Sequence, residues 1–291
     1  MILSGKTIIA GVLGWPIGHS LSPRLHSYWL ESLSIDGVYL PLDVSPEDFE
    51  QAVQALPRLG FAGANVTAPH KEAAFAAVDT NDHNARRIGA VNTIVCKADG
   101  TLYGSNTDGY GFLENLCAGC LQWTADQGSA VVLGAGGAAR AVVGALVDSG
   151  VPEVRLVNRT RSRAEALARD IGGVISVIDW KDLAQALRNA ALLVNTTKLG
   201  MKGSPPLTID LAPLPNNAVV TDIVYTPIAT ELLCQARARG NPVVDGLGML
   251  LHQARPGFSA WFGIEPLERI VWSWLIVKVL PAFELAVSGV R

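Results

Sequence analysis

Lys71 and Asp108 are the residues of this sequence that are best suited to moving a proton. Lys71 ends the motif G-A-N-V-T-A-P-H-K and falls in the first turn of the helix predicted after Pro69. The positive end of the helix dipole disfavours a cation there, so the placement indicates either a nearby anion or a function. Asp108 ends the motif N-T-D and is predicted in a polar turn after a short strand. A lysine ammonium can protonate the alkoxide that forms when a ketone accepts a hydride, and the amine is the base in the reverse direction. The structural alternative is a surface lysine and a capping aspartate.

Two serines in the motif H-S-L-S-P could present their hydroxyls together. Ser20 and Ser22 are two residues apart, so both hydroxyls point to the same side if the segment is extended. Pro23 biases Ser22 toward that extended geometry. Alternatively, Ser22 is a helix N-cap with Pro23 at the first helical position, and the two roles can coexist.

Three further polar residues stand beside predicted strand ends and are candidate ligands for hydroxyl groups. They are Asn65, Thr67 and Asn92. An amide both donates and accepts hydrogen bonds, which suits vicinal hydroxyls. The structural alternative for each asparagine is an Asx-turn.

A glycine-rich turn predicts a dinucleotide site in the second half of the chain. The strand A-V-V-L runs into G-A-G-G-A-A at 134–139, and a helical pattern follows. Gly134 permits the tight turn, Gly136 lets the backbone approach a pyrophosphate, and Ala139 allows close packing of helix on strand. The free N–H groups of the helix then face the anion. The predicted cofactor-binding residues of this turn are Gly134, Ala135, Gly136, Gly137 and Ala138.

The end of the next predicted strand favours NADP over NAD. An acidic residue usually holds the ribose 2′-hydroxyl of NAD there, but this sequence has Asn158, Arg159 and Thr160, with Arg163 following. Guanidinium groups pair well with a 2′-phosphate. The alternative is that these arginines, with Arg161, only form a solvated helix start.

The order of predicted elements indicates an α/β fold with two domains. Strands are predicted over 7–13, 37–42, 62–66, 94–96, 101–103, 130–133, 154–157, 192–195, 218–223 and 242–244, with helical patterns over 23–33, 47–56, 71–78, 164–171, up to about 149 and after about 247. Strand and helix alternation implies parallel strands covered by helices. We expect a mixed α/β substrate domain at 1–108 plus 251–291, a Rossmann-type parallel-sheet NADP domain at 109–250, and a cleft between them.

Composition excludes several other classes of protein. The net charge of −3, without long runs of like charge, argues against nucleic acid as a partner. Cys117 and Cys120 form a lone C-x-x-C without a second ligand pair, so we interpret them as small apolar side chains near a helix end. The five histidines lack metal-ligand spacing, and no metal is predicted. The apolar stretch at 270–283 contains Lys278 and Pro281, which favours a buried C-terminal helix over a membrane span. No signal peptide is visible, so a cytoplasmic protein is expected.

Taken together and in order, the motifs of the chain resemble those of the shikimate dehydrogenase family. Beyond those already quoted they are G-A-V-N-T at 89–93, V-Y-T-P at 224–227 and G-L-G-M-L-L-H-Q-A at 246–254. The resemblance covers nearly the whole chain and implies reversible NADPH-dependent reduction of 3-dehydroshikimate to shikimate, in aromatic amino-acid biosynthesis. Family members are monomers or homodimers, and the sequence does not choose between them.

The resemblance also implies individual roles. Lys71 and Asp108 would form the catalytic pair, and Ser20 and Ser22 would bind the substrate carboxylate. The remaining implied substrate ligands are Asn65, Thr67, Asn92, Tyr225 and Gln253. The remaining implied cofactor contacts are Thr196, Met201, Ile223 and Gly246.

Small departures from the family pattern and three rival functions stay open. Trp15, Ser27 and Ala68 differ from the usual residues and could tune the pocket. A quinate or dual quinate/shikimate dehydrogenase is the nearest rival, although such relatives often alter a serine of the carboxylate pair or the 2′-phosphate site. A non-catalytic NADP-binding sensor would be expected to lack Lys71 or Asp108. A folate-type dehydrogenase lacks support from H-S-L-S-P and N-T-D.

Overall fold

The computed structural model describes residues 3–266, which form two compact units. The first unit contains 3–80, 92–104 and 254–266, and the second contains 81–91 and 105–253. The segments 81–91, 105–108 and 251–253, which the sequence assigned to the first domain, therefore pack with the second unit. The helix expected over 270–283 lies outside the described residues. Among the described residues, no helix is both long enough and apolar enough to cross a membrane.

A mixed six-stranded sheet forms the first unit. Its strands are β1 (Ile8–Gly14), β2 (Gly37–Asp43), β3 (Phe61–Val66), β4 (Thr80–Asn81), β5 (Thr93–Cys96) and β6 (Leu102–Ser105), in the order β2-β1-β3-β5-β6-β4. β1 pairs in parallel with both β2 and β3, whereas β3 and β5 are antiparallel. The helices are α1 (Ser22–Ser32), α2 (Phe49–Ala55) and α3 (Lys71–Ala77).

The end of the last described helix, α10 (Leu247–Phe262), packs on this sheet. Trp261 is 5% exposed, and its Nε1 donates a hydrogen bond of 2.9 Å to the carbonyl oxygen of Ile94. A Cβ at Gly63 would lie 2.2 Å from that same Nε1, so only glycine allows the indole to approach β3 this closely. Phe258, one turn before Trp261, is fully buried.

A six-stranded parallel sheet forms the second unit. Its strands are β7 (Ser129–Leu133), β8 (Val154–Asn158), β9 (Ile175–Asp179), β10 (Ala190–Asn195), β11 (Val219–Asp222) and β12 (Val243–Val244). Their order β12-β11-β10-β7-β8-β9, read from the other edge, is the 3-2-1-4-5-6 order of the Rossmann fold. The helices are α4 (His83–Ile88), α5 (Asp108–Gly119), α6 (Gly137–Asp148), α7 (Arg161–Ile171), α8 (Leu183–Leu187), α9 (Glu231–Ala238) and the first part of α10. One apolar core covers each face of the sheet.

The predicted strands and helices are all confirmed within about two residues over the described part of the chain, except that α7 begins three residues earlier than predicted. Elements that the sequence patterns did not predict are β4, β9, α4, α5, α8 and α9.

The turn predicted at Asp108 was wrong, because this residue is the first of α5. Its backbone N–H donates to Asn106 Oδ1 over 3.0 Å, which lets the helix start directly after the strand–turn segment. Cys117 and Cys120 are free thiols at the end of the same helix.

Asp222 joins three segments at the carboxyl edge of the parallel sheet. The side chain is fully buried and accepts hydrogen bonds from Asn195 Nδ2 at 3.0 Å, from the Val224 N–H at 3.0 Å and from the Thr230 hydroxyl at 2.8 Å. Thr230 in turn caps α9 at the Leu233 N–H. Desolvation outweighs these bonds and raises the pKa of Asp222 to about 6.

We predict that Asp222 makes stability depend on pH between about 4 and 6. Its pKa is about 3.8 unfolded and about 6 folded, so the folded state binds the proton more tightly. The free energy of unfolding therefore falls as pH rises through this window. Asp222→Asn can keep all three hydrogen bonds without titrating, since its NH2 group can donate to Thr230. Denaturant titration at several pH values should show wild type losing about 2–3 kcal/mol relative to this variant.

Asp182→Asn, at an exposed position of the same unit, is the matched control for removal of a carboxylate that is not buried. A constant difference between wild type and Asp222→Asn from pH 4 to 7 would show that burial of the carboxylate does not control this titration.

Candidate active site

Lys71 is the first residue of α3, as the sequence predicts. The preceding residue, His70, is buried and anchors the start of the helix. Its Nε2 lies 2.8 Å from the carbonyl oxygen of Val44, and its ring stacks on Phe49 with centroids 4.3 Å apart. Lys71 itself is half-buried. The side chain that carries the ammonium therefore begins from a rigid point, because the residue before it is held on two sides.

The two serines of H-S-L-S-P lie at the start of α1. The extended geometry considered for Ser22 was wrong, because this residue is the first of the helix. The N-cap alternative was also wrong, since Leu21 occupies the cap position and no side chain caps the helix. Ser20 accepts a hydrogen bond of 3.3 Å from the Ser22 N–H. The structure thus brings the two serines together through a turn rather than along one face of a strand.

The two candidate asparagines of the first unit meet in one buried hydrogen-bond network. Asn65, at the end of β3, donates from Nδ2 to the Asn92 carbonyl oxygen and to Thr93 Oγ1, each at 3.1 Å. Its Oδ1 accepts from the Tyr39 hydroxyl at 2.6 Å. Thr93 Oγ1 lies 3.0 Å from Asn92 Oδ1. Sequence reasoning found the two asparagines but missed Tyr39 and Thr93, because only the pairing of distant strands brings them together.

Thr67 follows β3 and connects it to the loop before α3. Its N–H donates to the Leu13 carbonyl oxygen over 2.9 Å, and its own carbonyl oxygen accepts from the His70 N–H. A Cβ at Gly14 would lie 2.5 Å from the Thr67 methyl group, so the loop after β1 needs glycine at this position. Thr67 is therefore held between the ends of β1 and β3.

Asp108 and Gln253 belong to the second unit and lie on neighbouring helices. Asp108 is 3% exposed at the start of α5. The Thr107 hydroxyl donates to the Gln253 backbone oxygen over 2.7 Å, which ties the start of α5 to α10. A Cβ at Gly111 would lie 2.7 Å from the Gln253 N atom, so glycine permits this close helix packing. The structure thus brings Asp108 and Gln253 into one neighbourhood within the second unit.

The glycine-rich turn between β7 and α6 fits a pyrophosphate. Gly134 has φ of +113°, and a Cβ there would lie 2.6 Å from Thr196 Oγ1, so no other residue fits. Gly136 is the N-cap of α6, where a Cβ would meet nothing within 4 Å, and no side chain caps the first N–H groups. The backbone therefore leaves donors and space for an anion, in agreement with the dinucleotide fingerprint.

Two further pairs of predicted cofactor contacts are neighbours in the second unit. Thr196 donates to the Leu133 carbonyl oxygen over 2.6 Å, which places it on the glycine-rich turn beside Gly134. A Cβ at Gly246 would lie 2.5 Å from the Ile223 carbonyl oxygen. Met201 lies further along the loop that begins at Thr196, and Tyr225 is half-buried just after Ile223.

The end of β8 presents the cations expected to select NADP. Asn158 Nδ2 donates to the Thr160 carbonyl oxygen over 2.8 Å and shapes this turn. Arg161 is held by Glu165 at 2.7 Å and Asp179 at 2.9 Å. Arg159 and Arg163 are exposed, and their side chains make no hydrogen bond or ion pair with any other residue in 3–266. The two arginines assigned to the 2′-phosphate thus differ from Arg161, whose charge is already matched by carboxylates.

The predicted residues fall into two sets, one in each unit. Ser20, Ser22, Asn65, Thr67, Lys71 and Asn92 lie in the first unit, whereas Asp108, Tyr225, Gln253 and all predicted cofactor contacts lie in the second. Within residues 3–266, no group of three or more metal-ligating side chains could hold a metal ion.

Comparisons with known proteins agree with this arrangement. Residues 12–94 match a family model described as the shikimate dehydrogenase substrate-binding domain. Residues 120–200 match a second model, described as shikimate/quinate 5-dehydrogenase. The two matches fall on the segments that carry the substrate and nucleotide motifs.

Individual relatives cover almost the entire chain. The shikimate dehydrogenase (NADP(+)) of Paramagnetospirillum magneticum is 63% identical over 91% of this chain and 96% of that protein. A shikimate 5-dehydrogenase from Thermus thermophilus, solved with NADP(H) and shikimate, is 40% identical with a TM-score of 0.81, covering 90% of this chain and 95% of that one. A quinate dehydrogenase from Corynebacterium glutamicum, solved with NAD, is 34% identical with a TM-score of 0.84, covering 92% and 99%. The chain belongs to the shikimate dehydrogenase family.

Proposed function

We propose that this protein is an NADP-dependent shikimate dehydrogenase that interconverts 3-dehydroshikimate and shikimate in the cytoplasm. The observation that carries the proposal is the conjunction of two sets of residues in one chain. The first unit supplies a lysine and buried amides suited to a polyhydroxylated acid. The second supplies a glycine-rich turn for a dinucleotide and, after β8, two exposed arginines suited to a 2′-phosphate. The high identity to NADP-dependent relatives supports the same reaction.

The reaction adds a hydride and a proton to a ketone. Bound NADPH supplies the hydride through its nicotinamide ring. Lys71 donates a proton from Nζ to the carbonyl oxygen of the substrate, so that the ketone becomes an alcohol and the lysine a neutral amine. In the reverse direction, the neutral amine of Lys71 removes the hydroxyl proton. Asp108 is the second residue of the proposed catalytic pair and a ligand for a ring hydroxyl.

The remaining residues orient the substrate. Ser20 and Ser22 donate to its carboxylate, whereas Asn65, Thr67, Asn92 and Gln253 bind its hydroxyl groups. Tyr225 is assigned to the substrate as well. We assign most substrate binding to the first unit and nucleotide binding to the second, which also contributes Asp108, Tyr225 and Gln253. We propose neither nucleic acid nor a membrane as a partner, and a monomer or homodimer as the active form.

A quinate-active enzyme is the second candidate, and the fold similarity to a quinate dehydrogenase supports it. Two features favour shikimate with NADP. Both serines proposed for the carboxylate are present, and β8 ends at Asn158 and is followed by Arg159, without an acidic residue. An acidic side chain there would repel a 2′-phosphate.

Lys71→Ala is expected to lower kcat for shikimate oxidation by about 10²–10⁴-fold, the usual contribution of a general acid–base group. NADP affinity should change little, because Lys71 is not a proposed cofactor contact. Steady-state absorbance of NADPH and titration of NADP binding measure the two quantities. Lys97→Ala, at a lysine whose Nζ lies over the Tyr103 ring, is the matched control and should retain turnover. Retained turnover in Lys71→Ala would refute the acid–base role.

Arg159→Ala is expected to weaken NADP binding by about 10- to 100-fold, since a charge-assisted hydrogen bond contributes about 1.5–3 kcal/mol. NAD binding should be nearly unchanged, because NAD lacks the 2′-phosphate. Arg161→Ala is the matched control, since Glu165 and Asp179 already engage that guanidinium. The measurement is the dissociation constant of NADP and of NAD for wild type and for each variant. Equal weakening of NADP and NAD by Arg159→Ala would mean that Arg159 does not bind the 2′-phosphate.

A further inference from the structure

We propose that Tyr39 is a positioning residue that supports the side-chain oxygen of Asn65 as a hydrogen-bond acceptor for a hydroxyl group of the substrate. This inference rests on the proposed function, in which Asn65 is a substrate ligand. Tyr39 lies on β2 and belongs to none of the motifs that carry the family resemblance. The positioning role of Tyr39 is inferred from the hydrogen bonds that Asn65 makes.

The two N–H bonds of the Asn65 amide are both used inside the protein. One donates to the Asn92 backbone oxygen and the other to Thr93 Oγ1. A backbone carbonyl can only accept, so the NH2 group must face Asn92, and the orientation of the amide is settled. The opposite atom, Oδ1, has two lone pairs, and the Tyr39 hydroxyl occupies one at 2.6 Å. What Asn65 can offer a ligand is therefore the remaining lone pair of Oδ1.

The bonds around Asn65 all run in the same direction. Tyr39 donates to Asn65, Asn65 donates to Thr93, and the Thr93 hydroxyl, which accepts from Asn65, donates to Asn92 Oδ1 at 3.0 Å. Donors and acceptors that alternate in this way polarise one another and strengthen each bond. All four side chains are 5% exposed or less, so their mutual hydrogen bonds are only weakly screened by water. The tyrosine hydroxyl is the first donor of this chain.

The ring of Tyr39 is itself held in place. It stacks on the imidazole of His26 with centroids 3.9 Å apart and planes 6° from parallel, and the Trp261 ring centroid lies 6.0 Å away. Complete burial lowers the pKa of His26 to about 3, so the stacked imidazole is neutral at physiological pH. Burial also raises the pKa of Tyr39, so its hydroxyl keeps the proton that it donates to Asn65.

An acceptor at Asn65 limits which ligands can bind beside it. An acceptor on the protein requires a donor on the ligand, so Asn65 binds a free hydroxyl and disfavours an ether or a keto oxygen at the same place. Without the Tyr39 hydroxyl, the Asn65 oxygen loses the hydrogen bond that supports it, while the two N–H contacts remain. Substrate binding should weaken, whereas proton transfer by Lys71 and cofactor binding should be spared.

Tyr39→Phe tests the proposal, because it removes the hydroxyl and keeps the ring that stacks on His26. We expect the KM for shikimate to rise about 3- to 10-fold, the effect of losing one ordinary hydrogen bond. The values of kcat and of the KM for NADP should change less than about twofold. Tyr103→Phe, at a half-buried tyrosine of the same unit, is the control and should leave all three constants unchanged. An unchanged shikimate KM in Tyr39→Phe would overturn the proposal.

A double-mutant comparison separates positioning from a general loss of stability. Asn65→Ala should raise the shikimate KM, and adding Tyr39→Phe to it should cause no further rise. Additive effects would show that Tyr39 does not act through Asn65, and an unchanged KM in Asn65→Ala would show that Asn65 is not a ligand. Either result overturns the inference while wild-type turnover still supports the proposed function. Absence of shikimate turnover in wild type would instead overturn the proposed function.

A second position keeps the test available if Tyr39→Phe does not fold. Thr93→Val interrupts the same chain of hydrogen bonds at nearly constant volume, and Thr93→Ser restores the hydroxyl. The shikimate KM should rise in Thr93→Val and return toward the wild-type value in Thr93→Ser. An equal KM in Thr93→Val and wild type would count against the proposal in the same way.

Discussion

A polar side chain buried at the end of a strand must be hydrogen-bonded, and this requirement shapes both halves of the candidate site. In the first unit Asn65 has its two N–H bonds and one lone pair of Oδ1 satisfied by the protein. In the second unit Asp222 accepts three hydrogen bonds, from the last residue of β10, from a loop N–H and from a helix cap. An unsatisfied buried group would cost about 1–3 kcal/mol, so these networks permit few alternative loop geometries. The loops that carry candidate ligands are therefore rigid where they leave the sheets.

The proposed preference for NADP depends on charged side chains at the surface of the second unit. The chain has a net charge of −3, yet three arginines follow the end of β8 closely, at 159, 161 and 163. Arg161 is neutralised by two carboxylates, whereas Arg159 and Arg163 keep their charge for a ligand. The glycine-rich turn adds N–H donors without a net charge. The proposed recognition of a dinucleotide thus combines backbone donors for the pyrophosphate with side-chain cations for the 2′-phosphate.

Much of the fold followed from local sequence, and the misses have identifiable causes. The apolar run at 130–133 is buried on both faces and predicts its strand clearly. β9 was missed because its residues are only half-buried and follow two glycines. α4 was missed because it is short and polar, although its ends carried a signal. Asp82 caps the Ala85 N–H at 2.6 Å, and Gly89 ends the helix with φ of +64°.

The sequence allowed the candidate ligands of the site to be predicted, but not the residues that hold those ligands in place. Motif residues such as Asn65, Lys71 and Gly134 could be named because each stands in a local pattern. Tyr39 carries no such pattern, and it reaches Asn65 only because β2 and β3 flank β1. Asp222 ends an apolar strand as a lone carboxylate, which is a signal that could have been used. Support between distant strands depends on sheet order, and sequence spacing does not encode that order.

The most direct test of this account is a steady-state assay that pairs the purified protein with shikimate or quinate and with NADP or NAD. The account predicts that kcat/KM is greatest for shikimate with NADP, by at least about tenfold over each other combination. Preferred turnover of quinate would contradict the assignment of the substrate, and preferred use of NAD would contradict the role of the arginines after β8. Absence of turnover in all four combinations would contradict the proposed activity as a whole.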